Sequence, residues 1–162
     1  LPAGVAHRRI SALVVIATVM LIAAYYDSLV QWLGTDPVFE NTLLFCCAFL
    51  VGTYLLSPDL DLVDSDPTRS WGIFQTIWRP YATLFRHRGM SHTPVIGTLT
   101  RILYLTCLVY VLGAVVESLM GWNWSISVYD FSRLWSMKTA STLAGLVVSD
   151  LAHIATDRFL SR

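Results

Sequence analysis

Four histidines make up the whole imidazole supply of this 162-residue chain: His7, His87, His92 and His153. His87 and His92 bracket the block His87-Arg88-Gly89-Met90-Ser91-His92. A pair of carboxylates stands in Ser57-Pro58-Asp59-Leu60-Asp61, and Asp150, His153 and Asp157 follow one another late in the chain. On a helix the offsets from Asp150 to His153 to Asp157 fall on one stripe, so two carboxylates flank an imidazole. Ionisable groups in an apolar helix cost on the order of 2.5–3.5 kcal/mol each on insertion scales, and they persist when paired or bound to something. A divalent cation would neutralise them. His7, His87, His92 and His153 with Asp59, Asp61, Asp150 and Asp157 are enough for two or three ions at about three or four protein ligands each. Imidazole and carboxylate without thiolate suit Zn²⁺, Mn²⁺ or Fe²⁺, whereas four histidines disfavour Ca²⁺.

Each of these residues has an ordinary reading on its own. Pro-Asp-x-Asp can simply turn a chain, and His7 can be an interfacial side chain. Their joint placement is what argues for a site, and that placement depends on the helices. Hydrophobic residues make up 55% of the chain and charged residues 14%, with a mean hydropathy of +0.58. Soluble domains carry about 25% charge, so this composition indicates a membrane protein and excludes a disordered chain. Eleven basic residues balance eleven acidic ones, which leaves no net field to attract nucleic acid. Cys46, Cys47 and Cys107 lie in apolar runs without metal or redox spacing and read as small apolar fillers. The length fits a single domain spanning residues 1–162.

Four segments approach the roughly 20 apolar residues that a bilayer-crossing helix needs: 10–33, 39–56, 94–116 and 139–160. The chain begins without Met, and Arg8-Arg9 before an apolar run resembles the start of a signal peptide. The run continues past Tyr25 and Tyr26 without a clear cleavage site, and so reads as a retained helix. Gly34-Thr35-Asp36-Pro37 reads as a tight turn, and residues 57–93 form a long irregular loop. Arg8, Arg9, Arg69, Arg79, Arg86, Arg88, Arg158 and Arg162 all fall on one side of the four spans. Arg133 and Lys138 fall on the other, and Arg101 lies within the third span. The basic side is cytoplasmic by the positive-inside rule, which predicts both termini in the cytoplasm and gathers all four histidines there. In the long loop Trp71, Phe74, Trp78, Tyr81 and Phe85 recur at spacings of three and four. This predicts a helix lying in the interface, split at Pro80. Trp122, Trp124, Tyr129 and Trp135 read as an aromatic belt at the far interface. The expected fold is all-α: an integral membrane bundle of four transmembrane helices with an interfacial amphipathic helical segment in the long cytoplasmic loop.

With His7, the Pro58-Asp59-Leu60-Asp61 turn, the His87-to-His92 block, and His153 with Asp157 in place, the sequence resembles the YdjM-like family of bacterial inner-membrane proteins. That family is described as metal-dependent hydrolases, and the likeness is greatest to its cyanobacterial relatives called predicted metal-binding proteins. Many family members carry a His directly after the second Asp, where this chain has Leu62. The resemblance implies a multi-pass protein of the inner (cytoplasmic) membrane. Through a distant likeness to zinc-dependent phospholipase C and single-strand nucleases, it also implies hydrolysis of a phosphoester.

The chemistry expected is a metal-activated water attacking a phosphoester of a lipid or other amphiphile, with Zn²⁺ favoured and the bilayer itself as partner. Asp59 or Asp150 takes the proton, and Arg88, beside His87, holds phosphate oxygens. Gly89 supplies a turn that lets His87 and His92 converge. The alternative is a non-catalytic membrane metal-binding protein with a storage, delivery or assembly role. A transporter is disfavoured because the polar groups cluster at one end of the bundle, and a haem or pigment scaffold because the layer is rich in carboxylates.

Overall fold

The computed structural model describes residues 3–85, 89–121 and 136–160, with residues 3–8 and 160 described as backbone only. The described residues are helical throughout, with no strand among them. Helix α1 (Ala3–Ala24) is followed after Tyr25 by α2 (Tyr26–Leu33), and the two axes meet at 70°. The first apolar run is thus two helices, and α2 carries Asp27 in its first turn and an exposed Trp32. Gly34, at φ +84°, makes the break that starts α3 (Thr35–Tyr54). The expected tight turn therefore shrinks to one glycine. Pro37 sits in the first turn of α3, where its missing N–H leaves no helical bond unmade.

After α3 the chain makes a 3-10 turn, Pro58–Asp61, and then α4 (Asp66–Ser70). The Ser65 hydroxyl caps α4 by accepting from the Thr68 amide, and it donates to the Asp59 carbonyl at 2.7 Å, tying this cap to the Asp59 turn. A 3-10 stretch, Gly72–Trp78, leads into α5 (Arg79–Leu84), where Pro80 stands in the first turn as its sequence position predicts. A short turn, Met90–His92, precedes α6 (Ile96–Met120), and α7 (Met137–Leu160) closes the described chain.

The aromatic segment departs from expectation. Leu60, Trp78 and Tyr81 form the buried core, with Trp71, Phe85 and Tyr104 packed around it. Ring centroids lie 5.2 Å apart for Trp71–Trp78 and 4.6 Å for Tyr81–Phe85. The Trp71 indole donates to the Leu55 carbonyl at 2.8 Å, and Tyr104 donates to the Ile77 carbonyl. Of the five aromatic residues predicted to face lipid, Phe74 is the exposed one, next to an exposed Ile73. The helical spacing did define one face, but the turn bearing Leu60 and the start of α6 bury it against protein.

Helices α3 and α7 form the most extensive pairing among the described residues. A Cβ at Gly145 would lie 2.4 Å from the Phe45 carbonyl oxygen, so the two backbones meet where only glycine fits. Across the pair Thr53 and Ser149 share a hydroxyl bond of 3.1 Å, and Ser141 donates to Asn41 at 3.0 Å. Lys138 pairs with Glu40 at 2.6 Å near the other end. Two helical stretches, Thr35–Asp61 and Ile96–Met120, are long and apolar enough to cross a membrane, and the bent α1–α2 pair makes a third if it counts as one span. The expected fourth span corresponds to α7. Its hydroxyl residues with Asp150, His153 and Asp157 lower its apolar character, and it packs on α3 instead of being covered by apolar side chains all round.

Candidate metal centre

Three separate segments bring their side chains to one point. Pro58 opens the first turn and presents Asp59, the Met90–His92 turn presents His92, and α7 presents His153 and Asp157, one helical turn apart on the same face. One ligand atom from each of these four residues lies within 4.8 Å of all the others. His153 Nε2 is 3.3 Å from Asp59 Oδ2 and 3.5 Å from Asp157 Oδ2. His92 Nε2 is 3.5 Å from Asp59 Oδ1 and 3.9 Å from Asp157 Oδ2. Four ligands placed tetrahedrally at 2.0–2.1 Å from a zinc-like ion stand about 3.3 Å from each other, so the spacing and the donor types fit a divalent cation. Among the described residues this is the one such group.

Both imidazoles turn Nε2 inward and are held from behind. Asp61 Oδ2 lies 3.5 Å from His92 Nδ1, and the Ser57 hydroxyl lies 3.4 Å from His153 Nδ1. A carboxylate behind a ligating histidine fixes its tautomer and raises its basicity. Asp61 is therefore placed to support His92 instead of joining the four. Burial opposes charge on His92, but Asp59 and Asp61 outweigh it and push the imidazole pKa up to about 9.

Asp150 has a different neighbourhood. Its Oδ2 accepts from Arg101 Nη2 and from the Thr98 hydroxyl, and all three residues are buried. It sits seven residues before Asp157, a rise of about 10 Å along a helix, which is too far for both to serve one ion. The side chain of His7, together with His87 and Arg88, lies outside the described residues, as does the aromatic belt from Trp122 to Trp135. The expectation of two or three ions rests partly on those residues.

Access to the centre comes from one side. His92 and His153 are 10% and 12% exposed at the side chain, whereas Asp59 is 25% and Asp157 40% exposed. Asp59, His153 and Asp157 form part of the wall of a cavity of about 300 Å³. Ser11, Thr53, Ser65 and Ser149 line it with hydroxyls, and Asp66 adds a carboxylate. These hydroxyls were not singled out in the sequence, since hydroxyl residues scattered over three helices and one helix cap carry no spacing signal.

The profile of a family described as "Uncharacterized metal-binding protein (DUF2227)" matches residues 2–162. An uncharacterized protein of Aquifex aeolicus is similar at 34% identity over 124 residues, covering 70% of this chain and 86% of the relative. No solved structure matches.

Proposed function

The chain belongs to this family of metal-binding proteins, and from that premise we propose that it is a membrane-embedded metal-dependent hydrolase acting on a phosphoester of a lipid or amphiphile. The observation that carries this reading is the cavity: Asp59, His153 and Asp157 of the four-residue cluster border a hydroxyl-lined space large enough for a small headgroup. A bound divalent ion would supply Lewis acidity to a substrate oxygen and to water there. His92 and His153 would hold it through Nε2, with Asp59 and Asp157 balancing its charge. Of the two carboxylates considered as proton acceptor, Asp150 is engaged by Arg101, whereas Asp59 is on the cavity wall and would serve through the oxygen that it does not give to the ion. The hydroxyl of Ser11 is placed to donate to a substrate oxygen, whereas the Ser65 proton is given to the Asp59 carbonyl and the Ser149 proton to Thr53. The likeness to YdjM-like proteins supports the hydrolytic reading. The distribution of basic residues supports an inner-membrane setting with both termini cytoplasmic and α7 completing a four-span bundle.

One observation favours a second reading, a non-catalytic protein that stores, delivers or is assembled by its ion. Two imidazoles and two carboxylates can by themselves complete a tetrahedral shell. Elemental analysis of the purified protein tests the shared part: about one ion per chain is expected at the described cluster, lost in His153→Ala. Turnover of a chromogenic phosphodiester and of phospholipid in mixed micelles, sensitive to chelator, separates the two. Full metal occupancy with no turnover of either substrate would leave the non-catalytic reading.

A further inference from the structure

Arg101 is 1% exposed within an otherwise uncharged stretch of α6, and its guanidinium has two polar destinations. Nη2 reaches Asp150, and Nη1 donates to the backbone carbonyl of Ser91 at 3.2 Å. Ser91 is itself fully buried, and its hydroxyl donates to the carbonyl of Pro58 at 2.7 Å. Each of the three ligand-bearing segments is thereby held beside its ligand. Pro58 directly precedes Asp59, Ser91 directly precedes His92, and Asp150 stands three residues before His153, within one helical turn.

The packing around Ser91 leaves that carbonyl little freedom. A Cβ on Gly97 would sit 2.2 Å from the Ser91 oxygen, so the start of α6 presses directly on the His92 turn. Between them Val95 takes φ +69° and ψ −59°, and the Ile96 amide bonds the Pro94 carbonyl at 2.8 Å, a tight reversal that a β-branched residue rarely adopts. Such a conformation persists where its surroundings over-determine it. A simple ion pair between α6 and α7 would need neither the Ser91 contact nor the strained turn.

We infer that Arg101 is a positioning residue for the metal centre: held by Asp150, whose carboxylate Thr98 also bonds, it sets the place of His92 through the Ser91 carbonyl and so the geometry in which the ion is held. The inference rests on the metal-centre reading and deepens it. A planar fork can serve a carboxylate and a carbonyl at once, which the point charge of a lysine does less well.

The test uses the full-length protein in detergent loaded with Co²⁺, whose visible absorption reports coordination geometry. Arg101→Met combined with Asp150→Asn removes both buried charges together and leaves neither stranded. This variant should keep wild-type helicity and elution volume, bind Co²⁺ about 10–100-fold more weakly and show an altered visible spectrum, as loss of support behind metal ligands typically does. Arg101→Lys keeps a charge for Asp150 and serves as the second variant should the first not fold. It should shift the spectrum with a smaller loss of affinity. Wild-type affinity and spectrum in either folded variant would overturn the positioning role. Full Co²⁺ binding by His153→Ala would instead overturn the metal centre itself, so the two failures are distinguishable.

Discussion

Acidification should weaken metal binding at this centre, with His92 as the group that titrates. In the metal-free protein Asp59 and Asp61, at 3.5 Å from its two nitrogens, hold the His92 pKa up at about 9 against the opposing effect of burial. An ion needs the Nε2 lone pair, so below that pH binding must expel a proton. The sign is fixed: the protonated imidazole competes with metal, and apparent affinity rises with pH until His92 is neutral without help. From pH 6 to pH 8 the competing protonation falls from about a thousandfold to about tenfold, a gain of about 90-fold in affinity, or about 2.7 kcal/mol, from this residue alone. Isothermal titration of Zn²⁺ in buffers of different ionisation enthalpy measures both quantities, and His92 should contribute about one released proton per ion at pH 7. Asp61→Asn removes one of the two carboxylates, so its affinity should level off at a lower pH. Equal affinity at pH 6 and pH 8 with no proton released would refute the argument.

Two substitutions away from the centre test the scaffold. Gly145→Ala places a methyl group 2.4 Å from the Phe45 carbonyl oxygen and must push α3 from α7; a loss of about 1–3 kcal/mol is expected, read as a lower midpoint of thermal unfolding in detergent. Trp78→Ala empties the middle of the aromatic core beside Leu60 and Tyr81 and should cost about 3–5 kcal/mol in the same assay, whereas Phe74→Ala, at an exposed aromatic, should cost much less.

Much of this architecture is legible in the residues themselves, and the gaps have physical causes. Apolar content and helix-length runs give an all-helical chain, and Pro80 marks the start of α5. Basic residues flanking the apolar runs put His92, His153, Asp59 and Asp157 at one end of the bundle, and the structure gathers these four. Periodicity says which residues share a face but not what stands opposite. Trp78 and Tyr81 therefore read as lipid-facing until Leu60 and Tyr104 are seen to cover them. For the same reason Asp150 reads as a ligand beside His153 until Arg101, forty-nine residues earlier, is seen to hold it. The helical rise alone separates Asp150 from Asp157 by about 10 Å, a distance that a stripe drawn on a helical wheel conceals. The bend after Ala24 has no Pro or Gly to announce it.

Asp59 turns one oxygen toward each histidine, so an ion seated among the four side chains fastens the turn after α3, the turn before α6 and the end of α7 together. Asp59 and Asp157 are 98 positions apart, and closing a loop of that length by a covalent link reduces the freedom of the unfolded chain by about 4.7 kcal/mol in the simplest entropic treatment. A reversible inorganic knot of this kind would make holo and apo forms differ in chain connectivity as well as in charge. Stripping the cation should loosen three distant stretches in a single event, so that protease finds them all at once.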